Sequence, residues 1–350
     1  MPPMGDEFSV GLTRDFLADD GRLAFKDIGL DLLDQTPGVK YEFFDDYKEV
    51  VTADQIAGYD AVISYLPAWT PQTFVGSKKL SVLARFGVGY DMVDVAACTD
   101  HDVVLAITPE GVRRPLAEGT VTLILAAAKE IFPKSKILRE GRWMDHKFIY
   151  GSCMIDKVIG TIGLGNIAQD VMKLLAPFDL AERLAFDPYC PKEKADELGV
   201  KLVDLDTLLK NADFVCVNCL LNDETRGLMG PREFGLMKES AYLINTARGP
   251  IVNTAALIEA LRSNQIRGAA LDVFEVEPIE SGDPLLELDN CIMLPHAVGW
   301  TDEALLGNGR GACKAVLNVF QGQSPKYVVN RNVLAKADFK QKLSRYRSVK

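Results

Sequence analysis

The chain has no surplus of positive charge. Its 39 Lys and Arg stand against 49 Asp and Glu, a formal net charge of −10. A nucleic-acid partner calls for a basic face, so none is expected. Long apolar runs are missing too. The longest, residues 121–128, is far below the ~20 residues that a bilayer-spanning helix needs, so no membrane association is expected. There is no disulfide framework. The seven cysteines (Cys98, Cys153, Cys190, Cys216, Cys219, Cys291 and Cys313) are scattered, mostly in apolar stretches, and read as reduced thiols. Cys216 and Cys219 form a C-x-x-C inside an apolar run without a second pair at zinc-site spacing, so no metal is expected. Residues 1–7 show no basic region followed by an apolar stretch. The expectation is therefore a protein without a secretory leader, located in the cytoplasm. Internal repeats and a Gly-, Pro- or Ser-rich linker are also absent.

At 350 residues the chain exceeds what one hydrophobic core usually serves, so two domains are expected. Short apolar runs at 8–12, 39–44, 61–65, 80–86 and 103–108 read as strands, with helical spacing at 23–33 and 92–98 between them. Residues 115–131 read as a long helix, apolar nearly all round, with Pro115 in its first turn. A second strand series follows at 158–162, 183–187, 214–218, 241–246, 268–274 and 291–294. A last helix at 302–320 precedes a polar, basic tail. Strands alternating with helices imply parallel sheets covered on both faces, an α/β fold.

Gly163-Leu164-Gly165-Asn166-Ile167-Ala168 lies between the strand at 158–162 and a helical pattern reaching Leu175. Gly163 suits a tight turn, Gly165 a close backbone approach to a pyrophosphate, and Ala168 close helix–strand packing. The helix N-terminus offers N–H groups to that pyrophosphate. The following strand ends in Asp187, about 20 residues on, where an acid binds the adenosine ribose. A dinucleotide, NAD, is the expected cofactor.

Three further segments fall at strand ends: Asn245-Thr246-Ala247-Arg248-Gly249-Pro250, Leu271-Asp272-Val273-Phe274-Glu275-Val276-Glu277-Pro278, and Leu294-Pro295-His296-Ala297-Val298-Gly299-Trp300-Thr301. They resemble the Arg, Glu and His signatures of the D-2-hydroxyacid dehydrogenase family. The similarity takes in Arg85-Phe86-Gly87-Val88-Gly89-Tyr90-Asp91, Thr108-Pro109, Ala117-Glu118 and Glu224-Thr225. The resemblance implies two Rossmann-like or flavodoxin-like parallel-sheet domains separated by an active-site cleft. Residues 1–112 and 302–350 would form a discontinuous substrate domain, and 113–301 an inserted NAD-binding domain. It also implies a homodimer joined through the nucleotide domain.

The implied reaction moves a hydride between the nicotinamide and a small 2-hydroxy or 2-keto acid. Arg248, a planar and permanently charged fork, suits the substrate carboxylate and carbonyl. Val88 and Gly89 would add backbone N–H donors. His296 suits proton transfer near neutral pH, with Glu277 fixing its tautomer and stabilising the imidazolium. In the cofactor shell the resemblance places Asn166 and Ile167 at the pyrophosphate, Asp187 at the ribose, and Thr246 and Ala247 beside the nicotinamide. Asp272 would hold the carboxamide, and Ala297, Val298 and Gly299 would close the site. His101 and His146 lie outside these motifs.

Two departures stand out. Cys219-Leu220 replaces the frequent Cys-Pro, and Val112-Arg113-Arg114-Pro115 replaces a small polar residue before the long helix. Arg113 and Arg114 are therefore read either as ion-pairing residues or as contacts to a second polar end of the substrate. Trp300 is read either as a wall of the substrate pocket or as a packing residue. Formate dehydrogenases, which pair the histidine with glutamine, are disfavoured by Glu277. Phosphoglycerate dehydrogenases often carry a regulatory domain for which this length leaves no room. An NAD-sensing corepressor on the same fold is the alternative reading, separable by turnover.

Overall fold

The computed structural model describes residues 7–347. The leader reading made on the first residues falls mostly outside them. The chain divides into two compact units, the described parts of Met1–Val112 with Thr301–Lys350, and Arg113–Trp300.

Along the first unit run β1 (Phe8–Leu12), the short α1 (Asp31–Asp34), β2 (Val39–Phe43), β3 (Ala61–Ser64), β4 (Val82–Arg85), α2 (Val95–Asp100) and β5 (Val104–Ala106). Helix α3 (Pro109–Ala128) starts in this unit and continues into the second. The second unit continues with α4 (Ile131–Arg139), β6 (Val158–Ile162), α5 (Asn166–Leu175), β7 (Glu182–Phe186), α6 (Lys192–Glu197) and β8 (Lys201–Leu202). It closes with α7 (Leu205–Asn211), β9 (Phe214–Val217), α8 (Pro231–Leu236), β10 (Tyr242–Asn245), α9 (Thr254–Arg262), β11 (Gly268–Leu271) and β12 (Cys291–Met293). The chain then returns to the first unit through α10 (Asp302–Phe320) and α11 (Ala337–Arg347).

Both sheets are parallel. Strand order is β2-β1-β3-β4-β5 in the first unit and β12-β11-β10-β9-β6-β7-β8 in the second. These are the flavodoxin-like and Rossmann-like doubly wound orders, the latter with one strand added. Continuous apolar strands suit sheets covered on both faces. Alternate residues go to opposite sides: Ile162, Val215, Val217 and Leu243 to one core, Ile159, Phe214, Cys216 and Ile244 to the other. Cys216 is thus a core residue, and burial pushes its thiol up to about 12. In the second sheet the order reverses at β6, which lies between β9 and β7, so ligand-binding loops are expected at its carboxyl end.

Several elements differ from the sequence reading. The helix expected over 23–33 shrinks to Asp31–Asp34, because Gly29 takes a φ of +70° with the Arg310 side chain pressed against it. The long helix starts at Pro109, so Pro115 stands inside it and cannot bond to the Gly111 carbonyl. It stops at Ala128, where Glu130 with a φ of 54° starts a new helix. Its burial is one-sided: Ala117, Leu123, Ile124, Ala127 and Ala128 are buried, whereas Glu118 and Thr122 are exposed. The tail is not loose. Phe339 of α11 is fully buried, and Lys342 donates to the carbonyls of Leu80 and His101 at 2.8 Å and Asp102 at 3.1 Å. Burial pushes the Lys342 ammonium down to about 8. The strands also stop earlier than their apolar runs, leaving Asp187, Asn218, Thr246 and Asp272 in loops at their carboxyl ends. Among the described residues no helix is long and apolar enough to cross a membrane.

Candidate active site

The glycine-rich turn forms because side chains have no room at one position and ample room at another. Gly163 has a φ of +89°, and a Cβ there would lie 2.8 Å from the Cys219 backbone. At Gly165 a Cβ would meet nothing within 4 Å, so the chain itself leaves that space open. Helix α5 starts immediately after, with Asn166 exposed, Ile167 half-buried and Ala168 buried against the sheet. Its first N–H groups have no partner within the helix and carry the positive end of its dipole. Asp187, just past β7, accepts from Leu164 N at 2.8 Å and Tyr189 N at 2.9 Å, which ties the acid to the turn. An open glycine, a helix N-terminus and a flanking acid are the donor and acceptor set that a dinucleotide pyrophosphate and ribose require.

At the end of β10, Asn245 braces a sharp turn. Its buried side chain donates to Arg248 O at 3.0 Å and accepts from Ala247 N at 3.1 Å. Thr246 is buried, its hydroxyl 2.9 Å from that of Thr120 on α3. Arg248 is half-buried and donates to Ala247 O at 2.7 Å. Gly249 then passes so close to Phe274 that a Cβ would lie 1.8 Å from its carbonyl carbon. That approach sets the Arg248 turn against the segment bearing Glu277.

Glu277 and His296 are hydrogen-bonded to each other. Nδ1 of His296 lies 2.7 Å from Oε2 of Glu277, while Oε1 accepts from Phe274 N at 2.8 Å. Burial raises the Glu277 carboxyl, but the His296 hydrogen bond, the Phe274 N–H and the nearby Arg248 charge outweigh it and hold the group below its usual range. With Nδ1 facing the carboxylate, Nε2 is the ring nitrogen directed away from Glu277. His296 has a φ of 52°, in the left-handed region, which costs a non-glycine residue roughly 1–3 kcal/mol. Asp272 holds the chain there, its Oδ1 accepting from Ala297 N at 2.8 Å and Val298 N at 3.0 Å. Burial raises the Asp272 carboxyl, and those two N–H groups and the His296 charge oppose the rise. Gly299 and Trp300 complete this turn, with Trp300 N donating to Ala297 O at 2.9 Å.

Val88 and Gly89 follow β4 in the first unit and are half-buried. Gly87, with a φ of 137°, donates to the Thr108 hydroxyl at 2.8 Å, and that hydroxyl donates to Asn308 Oδ1 of α10 at 2.9 Å. Arg113 makes a two-pronged ion pair with Asp170 of α5, at 2.5 and 2.7 Å, and Arg114 pairs with Glu118 one turn on. Both arginines are thus engaged in ion pairs within the second unit. His101 stacks on Phe74 and His146 reaches the Trp143 carbonyl, both local contacts. Among the described residues no group of His, Cys, Asp and Glu is arranged to hold a metal.

Asn245, Gly249, Thr108 and Asn308 received no individual role from sequence. Asn245 left one cue, a short polar side chain at the end of an apolar strand, where such groups brace turns.

Residues 121–298 match the family model described as D-isomer specific 2-hydroxyacid dehydrogenase, NAD binding domain. A D-3-phosphoglycerate dehydrogenase of Archaeoglobus fulgidus is 38% identical over 75% of this chain and 50% of its own length. The chain thus spans about half of that relative. A putative 2-hydroxyacid dehydrogenase of Staphylococcus haemolyticus is 36% identical over 88% of this chain and 98% of its own. A crystal structure of a Thermus thermophilus protein superposes with a TM-score of 0.81 at 27% identity, covering 92% of this chain and 100% of that one.

Proposed function

The chain belongs to the family of D-isomer-specific 2-hydroxyacid dehydrogenases, and from that premise we propose that it reduces small 2-keto acids, or oxidises the corresponding 2-hydroxy acids, with NAD. The observation that carries this reading is the 2.7 Å pairing of His296 with Glu277, close enough to Arg248 for its charge to act on the carboxylate.

When bound, the nicotinamide supplies or accepts the hydride. The chain's own groups do the rest. The turn from Gly163 to Ile167 holds the pyrophosphate, and Asp187 accepts from the ribose hydroxyls and repels a 2′-phosphate. Thr246, Ala247 and Asp272 line the nicotinamide side, with Ala297 to Gly299 beside them. Arg248 binds the substrate carboxylate and polarises the carbonyl. Protonated His296 delivers a proton from Nε2 to the carbonyl oxygen as the carbon receives its hydride, and Glu277 stabilises the imidazolium. In oxidation, neutral His296 removes that proton. Asp272 serves the reaction further by fixing the backbone on which His296 sits.

For quaternary partner we propose a second copy, docked through the NAD-binding unit. Phe132, Trp143, Met144, Phe148 and Tyr150, all exposed, lie close together in its sequence. Sedimentation should then give a dimer.

The activity is tested by following NADH absorbance with a panel of 2-keto acids, including phosphorylated and dicarboxylic ones. Turnover that disappears in His296→Asn, with NADH binding retained, supports the assignment. NADH binding without turnover on any acid would overturn it.

A further inference from the structure

The loops after β7 and β9 are not neighbours, because β6 lies between those strands. They nevertheless meet: the Tyr189 hydroxyl donates to Glu224 Oε2 at 2.7 Å. The contact therefore bridges the two sides of the point where the sheet reverses its winding, over the strand that leads into the glycine-rich turn. Crevices for nucleotides open at such points because the flanking loops diverge to opposite faces. A bond that rejoins those loops closes whatever lies between them.

Both feet of the bridge are anchored. Tyr189 N donates to Asp187 Oδ1, and the other Asp187 oxygen accepts from Leu164 N in the glycine-rich turn. Glu224 N donates to Asn222 Oδ1 at 3.0 Å, and the neighbouring Thr225 hydroxyl reaches Leu220 O at 2.6 Å. The bridge between these feet consists of two side chains, and Tyr189 is 75% exposed. Rotation of the phenol or of the carboxylate is enough to part the bond without breaking those anchoring hydrogen bonds. In the glycine-rich turn that Asp187 holds, a Cβ placed on Gly165 would meet nothing within 4 Å.

The geometry points to Tyr189 and Glu224 as a latch across the adenosine side of the dinucleotide site, one that must part each time NAD(H) enters or leaves. This inference rests on the NAD reading above. A latch formed alike in the free and the loaded protein adds the same height to both barriers and nothing to the affinity. Breaking it should accelerate association and dissociation together. Because the pair is exposed to water, the expected gain is modest, about two- to fivefold.

The test is stopped-flow NADH fluorescence on wild type, Tyr189→Phe, Glu224→Ala and the double variant. Tyr189→Phe keeps the ring and loses only the hydroxyl. Expected are equal rises in both rate constants for each single variant, no further rise in the double variant, and an unchanged Kd. A rise in dissociation alone, with weaker Kd, would make Tyr189 a ligand contact and overturn the latch. Unchanged rates would overturn it as well. Wild type that binds no NADH would remove the NAD reading itself, and that failure appears before any variant is made.

Discussion

Replacing Gly249 with alanine probes how the Arg248 turn is built. The new Cβ would lie 1.8 Å from the Phe274 carbonyl carbon, 1.9 Å from its oxygen and 2.4 Å from Glu275 N. All are backbone atoms, so no rotamer change relieves the overlap. Ordinary contact begins near 3.4 Å, so the two segments must part by about 1.6 Å. One carries Arg248. The other is hydrogen-bonded through Phe274 N to Glu277, which in turn holds His296. A misplacement of about 1 Å among reacting groups lowers a rate by roughly 100-fold. Forcing extra volume into a packed site costs about 1–3 kcal/mol of stability. The expected outcome for Gly249→Ala is a kcat/KM on the best 2-keto acid reduced about 100-fold, with a lower urea midpoint. Gly165→Ala is the control, with open space and an ordinary φ of −68°. It should keep the midpoint and lose NADH affinity, since its methyl takes the room proposed for the pyrophosphate. A Gly249→Ala enzyme within about twofold of wild type in kcat/KM would refute the idea that this approach positions Arg248.

Three other outcomes are expected. Glu277→Gln removes the negative partner of the imidazolium, so the high-pH limb of reduction and the low-pH limb of oxidation should both move to lower pH; profiles that stay put would rule out the pairing's role. Arg113→Ala and Asp170→Asn should each lose a similar stability, about 1 kcal/mol or less, with no selective effect on larger acids. A double-mutant cycle reads the coupling, and a kcat/KM loss confined to a dicarboxylic acid would instead assign Arg113 to substrate. Burial pushes the Lys342 ammonium down from its ordinary 10.5 to about 8. Between those values the unfolded chain holds more protons, so this residue's contribution to stability rises with pH, and is absent below the window. Lys342→Met should lack that rise in urea midpoints taken from pH 8 to 10; identical slopes in the two proteins would contradict it.

The fold was legible where neighbouring residues carry the signal. Apolar runs punctuated by glycine and acid gave both parallel sheets, and the strand–turn–helix at Gly163 to Ala168 is local in the chain. Ends of strands were less legible, because an apolar residue continues a run whether or not it still pairs. Leu294 and Val273 extend their runs in this way although each lies beyond its strand. The meeting of Glu277 with His296 could be anticipated only through the family resemblance, since nothing in a separation of 19 residues implies a contact. Pairings such as Thr108 with Asn308, 200 residues apart, leave no pattern in a single sequence. The same holds for Arg113 with Asp170 and for Lys342 with three distant carbonyls. The docked α11 looks like a tail in sequence because its charged residues dominate composition, while Phe339 and Lys342 do the anchoring.

The interrupted path of the first unit also bears on synthesis. Ala312, Cys313, Val316 and Val319 of α10 cover the face of the sheet formed by Val10, Leu12, Val82, Ala84 and Val104. Those strands leave the ribosome before the whole of Arg113–Trp300, and their cover only afterwards. At roughly 5–20 residues per second the nascent sheet waits on the order of 10–40 s for it. The contiguous second unit can complete its own core during that wait. Half-made chains therefore present an uncovered parallel sheet beside a finished domain, which makes the emerging first unit the expected client of a holding chaperone.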